Sequence, residues 1–292
     1  MKPRGETLRA YAELARISNL PTCVSNSLVG CALGAAGGAF PWTSFPPIAA
    51  AVCLFYAAGM ALNDIADQRF DQIERPERPI PSGRVSLAEA RVFAAAAALL
   101  GVGVLARTTL AAMVLALLLV VLIALYDLFH KRHPTSVVLM GACRGMVYLV
   151  AAAAISSAIS WFRVVWLAGT LGVYTVAITV VARLENVRLL DARRWVALAL
   201  PPMVLTAAVA VPPRQALMPS IAGLVLVLWL ARAAKAVLRT PPNTRAAIQI
   251  WISGMSLIDA FFLTLLDQPL AALVALACFG LAAYSHRMIA GT

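Results

Sequence analysis

The 292-residue sequence is 62% hydrophobic and 13% charged, with 24 Lys and Arg against 13 Asp and Glu and a formal net charge of +11. That composition excludes a water-soluble enzyme, and because the basic residues gather in short stretches between long apolar runs, it also excludes a nucleic-acid-binding domain. Five cysteines (Cys23, Cys31, Cys53, Cys143 and Cys278) all fall in apolar runs without a CxxC pair, so they read as packing residues rather than disulfides or metal ligands.

About 20 apolar residues cross a bilayer, and ten such runs are read at 17–38, 46–66, 87–106, 109–127, 136–158, 161–182, 195–212, 218–238, 246–266 and 269–286. All are too long for barrel strands and none sustains a polar–apolar alternation. The expected fold is therefore an all-α polytopic bundle, in which each segment satisfies its own backbone. No soluble domain interrupts the series, and 1–292 reads as a single integral-membrane unit. The first 16 residues are polar and basic, and the following run is broken by Ser18, Asn19, Pro21 and Thr22, the pattern of a retained first helix rather than a cleaved signal. With the N-terminus in the cytoplasm, Lys2, Arg4, Arg9, Arg16, the loops after spans two, four, six and eight, and Arg287 all fall on one side. Arg107, Arg163 and Arg214 fall on the other. This asymmetry predicts a cytoplasmic membrane protein with an even number of spans and its polar face towards the cytoplasm.

The second span ends in Asn63-Asp64-Ile65-Ala66-Asp67-Gln68-Arg69-Phe70-Asp71. Acids are costly at membrane depth and mark function. In a helix, positions i, i+3 and i+7 lie within about 60° of each other, so Asp64, Asp67 and Asp71 can share a face that holds a hard cation. Mg²⁺ uses one or two carboxylates and completes its shell with water and substrate phosphates, so the motif points to a diphosphate. The loop that follows carries Glu74-Arg75-Pro76-Glu77-Arg78-Pro79-Ile80-Pro81-Ser82-Gly83, stiff and cationic, a shaped lid in place of a continued helix. Ser86 with Glu89 forms the signature of a capping box for the next helix.

Span four ends in Tyr126-Asp127-Leu128-Phe129-His130-Lys131-Arg132. Lys131 and Arg132, on the same side as the acids, suit phosphate oxygens, although interfacial Lys and Arg also anchor helices. Span six leads into Arg183-Leu184-Glu185-Asn186-Val187-Arg188, which holds in the second half the place of the acid cluster in the first. Arg183 and Arg188 flank Glu185 and Asn186, and a guanidinium can neutralise a diphosphate without any cation. Arg144 and Asp259 are intramembrane charges, read either as mates of each other or as substrate-facing groups.

These residues resemble the UbiA superfamily of intramembrane prenyltransferases. The likeness rests on Asn63-Asp64-x-x-Asp67-x-x-x-Asp71 and on Arg78-Pro79-Ile80-Pro81-Ser82-Gly83 followed by Ser86. Ser18-Asn19-Leu20-Pro21-Thr22 and the Glu185 region are similar to the EboC-like bacterial branch. The resemblance implies nine core spans, with the tenth an addition at the C-terminus, and Mg-dependent transfer from a polyprenyl diphosphate to an apolar or aromatic acceptor. It implies metal binding by Asp64, Asp67 and Asp71 with Asn63 in support, and diphosphate binding by Lys131 and Arg132. Arg78, Tyr126, Arg183, Glu185, Asn186, Arg188 and Asn19 complete the candidate substrate-binding set. Two departures from the family pattern are visible. Glu185 stands four residues before Leu189 and Asn186 four before Leu190, so the second motif lacks its acid pair, and Tyr126 to Lys131 is one residue longer than the family's Tyr-x-x-x-Lys. A UbiA-fold protein that binds a prenyl lipid without turnover is the alternative, and a secondary transporter is disfavoured because the acids sit at a membrane face.

Overall fold

The computed structural model describes residues 4–130, 133–156, 159–183, 190–240 and 242–288, and all regular structure among them is helical. In chain order the helices are α1 (Arg4–Leu14), α2 (Leu20–Gly34), α3 (Phe45–Ala66), α4 (Gln68–Glu74), α5 (Leu87–Leu105), α6 (Leu110–Phe129), α7 (Val137–Ile155), α8 (Trp161–Arg183), α9 (Leu190–Leu205), α10 (Ala207–Ala210), α11 (Leu217–Leu238), α12 (Thr244–Leu265) and α13 (Pro269–Met288). Each of the ten apolar runs overlies a helix. Among the described residues, seven helices (α3, α5, α6, α7, α8, α11 and α12) are long and apolar enough to cross a bilayer by themselves. Of the remaining three, α2 and α9 are cut short for visible reasons. In α2 the run is tightened at its start into a 3-10 turn over Ile17–Asn19, and α9 carries Pro201 and Pro202 and gives way to the short α10, since each proline removes a helical hydrogen bond. The outward faces, with Leu99, Leu100, Val114, Leu117 and Val121 exposed, are those of a protein solvated by lipid.

The capping box forms as read: Glu89 N donates to Ser86 Oγ at 3.2 Å and Ser86 N to Glu89 Oε2 at 2.7 Å. α1 does not cross the bundle. Its Ala10 and Leu14 pack with Ala61, Ile80, Val85, Ala90 and Ala94, clamping the polar loop after α4 against the ends of α3 and α5.

Inside the bundle, α7 and α8 touch backbone to backbone. A Cβ on Gly141 would lie 2.5 Å from the Gly172 carbonyl oxygen, and one on Gly145 would lie 2.6 Å from that of Ala168. One helical turn apart, the two glycines form the small-residue seam that lets membrane helices approach. α12 is the most enclosed of those seven long helices, with Trp251, Ile258, Asp259 and Phe262 all fully buried. The Asp259 carboxylate accepts from Asn26 Nδ2 at 3.0 and 2.8 Å, from Ser25 Oγ and from the Tyr148 hydroxyl, pinning α2, α7 and α12 together. Asp259 and Arg144 are therefore not direct mates. Tyr148, one turn beyond Arg144 on α7, takes the place at the carboxylate.

Candidate active site

The acid cluster is bent. α3 ends at Ala66, Asp67 serves as the joint, and α4 starts at Gln68. Asp67 N donates to the Asn63 carbonyl and Asp71 N to that of Asp67, each at 2.9 Å. Helical hydrogen bonding thus runs through a corner, and the three carboxylates do not line one straight face. Asp64 and Asp71, 3% and 2% exposed, meet across a single guanidinium: Arg78 Nη1 lies 3.3 Å from Asp64 Oδ1 and 2.6 Å from Asp71 Oδ2. Asp67 turns to His130, whose Nε2 is 3.0 Å from Asp67 Oδ1.

A second guanidinium comes from Arg16, which donates to Asp64 Oδ1 at 3.0 Å and reaches Asn63 Oδ1 at 3.5 Å. Arg16 holds a left-handed backbone, φ 45° and ψ 55°, between α1 and the 3-10 turn, a conformation that costs a non-glycine residue about 1–3 kcal/mol and marks functional corners. Asn63 donates through Nδ2 to Asp127 Oδ1 at 3.2 Å. The other oxygen of Asp127, Oδ2, is buried without a hydrogen-bond partner. His130 also sits 3.0 Å from the Asp127 carbonyl through Nδ1 and stacks on Tyr126 with ring centroids 5.4 Å apart.

Below these groups opens a cavity of about 400 Å³ between α2, α3, α6, α7, α8 and α12. Arg16, Asn19, Tyr126 and Asp127 border it on the polar side, and Phe55, Leu119, Ile123, Ile178 and Ile248 are among its apolar walls. Asn19 donates to the Tyr56 hydroxyl at 3.0 Å while its Oδ1 is buried and unpartnered. Arg183 faces the loop after α6, donating to the His130 carbonyl at 2.8 Å and Ser136 Oγ at 2.9 Å. The structure thus brings together Asn63, Asp64, Asp67, Asp71 and Arg78, sets Asn19 and Tyr126 on the cavity, and places Arg183 at the end of α8, bonded to His130 and Ser136. Lys131, Arg132, Glu185, Asn186 and Arg188 lie outside the described residues.

The donor set suits a hard divalent ion: the free groups are oxygens, and a buried carboxylate oxygen with no partner asks for a cation or proton. Among the described residues no three His, Cys, Asp or Glu converge into a ready-made cage. That fits Mg²⁺, which takes few protein ligands and relies on substrate phosphates, better than it fits zinc. Sequence reasoning missed three contributors. Along the sequence Arg16 reads only as topological charge. Asp127 and His130 stood in the quoted end of span four, where an acid at the end of an apolar run and a histidine three residues on were the signal.

A family model described as the UbiA prenyltransferase family matches residues 23–255. Among curated proteins the chain is similar to digeranylgeranylglyceryl phosphate synthase of Methanopyrus kandleri, 39% identical over 127 residues, covering 44% of this chain and 46% of that protein. It is also similar to protoheme IX farnesyltransferase of Colwellia psychrerythraea, 35% identical over 95 residues, covering 32% and 31%. The matched stretch spans less than half the length of these relatives. Among solved structures, a UbiA homolog from Aeropyrum pernix K1 aligns with TM-score 0.70 at 20% identity over 83% of this chain and 96% of that one. A UbiA homolog from Archaeoglobus fulgidus bound to GPP and Mg²⁺ aligns with TM-score 0.62 at 11% identity over 93% and 99%. These two likenesses establish the fold.

Proposed function

The chain belongs to the UbiA prenyltransferase family, and on that premise we propose that it transfers a prenyl group from a polyprenyl diphosphate to an apolar or aromatic acceptor within the membrane. The observation that carries this reading is the unpartnered Asp127 Oδ2 beside Asn63, set where a cluster of acids and arginines meets an apolar cavity. A donor with a charged head and a hydrocarbon tail matches both halves of that arrangement.

Asp64, Asp67 and Asp71, with Asn63 and Asp127 beside them, would hold Mg²⁺, which when bound neutralises the diphosphate as it leaves. Arg16 and Arg78 already neutralise these carboxylates. Once an ion takes that task, their guanidiniums are free to donate charge-assisted hydrogen bonds to diphosphate oxygens. Lys131, Arg132, Glu185, Asn186 and Arg188, which lie outside the described residues, are proposed to add to the same task. Arg183 serves as a positioning residue, since it donates to the His130 carbonyl and to Ser136 Oγ. The apolar walls exclude water. The electron pair of the breaking carbon–oxygen bond leaves on the diphosphate, and the acceptor bonds to the allylic carbon as it loses a proton.

A lipid-binding protein without turnover is the second reading, favoured by the arginines that already occupy the acids. Purified protein mixed with geranyl diphosphate and a panel of phenolic and alcohol acceptors is expected to release inorganic diphosphate in the presence of Mg²⁺ and not in its absence. Mg-dependent donor binding with no release, across donors of increasing chain length, would reject the enzyme. The site is further proposed to face the cytoplasm of a bacterial cell. Of two exposed positions, Thr43→Cys should react with an impermeant maleimide on intact cells, and Ser82→Cys only after permeabilisation. The reverse pattern inverts the topology.

A further inference from the structure

The exposed side of α11 changes character along one line. Ile221, Val225, Leu228, Arg232, Lys235 and Arg239 are all exposed, and their alternating steps of four and three residues put them on one face of the helix. The first three are hydrocarbon and the last three are cations. The start of α12 is held at the level of the cations, because Asn243 N donates to the Ala236 carbonyl at 2.9 Å, and it brings Arg245, also exposed. No acid offsets this end. Residues 192–258 contain no Asp or Glu, and among the described residues no carboxylate oxygen lies within the 4.0 Å of an ion pair from Arg232, Lys235 or Arg245.

Arg232 is the informative member. It lies six residues before the end of α11 at Leu238, about 9 Å along the axis, deeper than a cation that only anchors a helix at the membrane edge. Its guanidinium rests over Trp229, one turn deeper still, with Cζ 4.8 Å from the ring centroid. The indole is itself fixed, donating through Nε1 to the Ile250 carbonyl at 2.8 Å and meeting Phe279 edge-on with centroids 4.7 Å apart. An aromatic face attracts the charge but offers no oxygen to the five N–H donors of the guanidinium. A cation held at such depth normally faces an anion.

We propose that this stripe is a binding site for one phospholipid with a net negative head group. The phosphate lies among Arg232, Lys235 and Arg239, and an acyl chain runs along Leu228, Val225 and Ile221. Free phosphate would meet the same cations, but it makes no use of the apolar half of the stripe, which continues from the basic half without a break. The site shares no residue with the cavity or the acid cluster, and it does not depend on the prenyl-transfer reading.

Native mass spectrometry of the delipidated full-length protein in detergent, titrated with dioleoyl phosphatidylglycerol or dioleoyl phosphatidylcholine, reads retained lipid directly. The two lipids share their chains and differ in head-group charge. Wild-type protein should retain the anionic lipid about fivefold or more tightly, the scale of one or two cations at a membrane surface. The double variant Arg232→Gln, Lys235→Gln should bring the ratio close to one, and the charge-conserving pair Arg232→Lys, Lys235→Arg should keep most of it. General attraction by basic residues is checked with Arg69→Gln, Arg75→Gln, which removes two exposed cations at the two ends of α4 and should leave the ratio unchanged. An equal loss there overturns the site, as do equal retention of both lipids by wild-type protein and a preference that survives in the Arg232→Gln, Lys235→Gln variant. If loss of the contact with Trp229 unfolds that variant, Lys235→Gln and Arg239→Gln decide in its place, a ratio unmoved by both overturning the proposal. Inorganic phosphate should displace no more lipid than sodium chloride of equal ionic strength. Greater displacement assigns the cations to free phosphate and rejects the lipid.

Discussion

Asp67→Asn should cut prenyl transfer by about 10²–10³-fold, the scale of losing one electrostatic contact to a transition state, and should leave the protein folded. Asparagine preserves the shape of the joint between α3 and α4 and keeps an oxygen within reach of His130 Nε2, now 3.0 Å from Asp67 Oδ1. What it removes is charge, and with it the power to hold a divalent ion. Turnover of geranyl diphosphate and thermal unfolding, measured on one preparation, separate the two effects. A rate near wild type would take Asp67 out of the metal-binding set. Asp64→Asn should be as damaging to turnover and should also loosen the fold, because Arg16 and Arg78 both lean on that carboxylate.

The second large effect is structural. Arg78→Met should destabilise the protein by about 3–5 kcal/mol, the typical cost of removing one partner from a buried ion pair. Asp64 retains Arg16 after the change. Asp71, 2% exposed and paired with Arg78 at 2.6 Å, is left as a buried charge without compensation. Two outcomes follow from that cause and from no general packing defect: Asp71→Asn in the Arg78→Met background should recover part of the loss, and Mg²⁺ should raise the melting temperature of the single variant more than that of wild type. A wild-type melting temperature for Arg78→Met would show that the bridge does not hold the site together.

Hydropathy is a local property, which is why the apolar runs, the capping box at Ser86 and the acid cluster were legible along the chain. The corner at Asp67 was not, because the 64–71 segment keeps helical spacing without a glycine or proline to mark a break. Arg16 reaches Asn63 and Asp64 across 47 and 48 residues, and Asn63 reaches Asp127 across 64. No periodicity encodes such pairings; they follow from how the corner after α1 and the ends of α3 and α6 converge. The open question between Arg144 and Asp259 was settled by a competitor for the carboxylate, Tyr148, one turn further along α7 and donating directly to Asp259.

The glycine seam between α7 and α8 bears on how this cavity can adapt. Two helices in backbone contact cannot close further, and separating them sacrifices the contacts of the whole seam, so together they act as one stiff panel. Arg144 is adjacent to Gly145 on that panel, and Thr175 and Ile178 stand on its other half. Their spacing is fixed by main chain rather than by side-chain choice. Accommodation of guests of different shape therefore falls to Met60, Met140 and Met255, unbranched thioethers on the cavity wall that change shape by rotation alone.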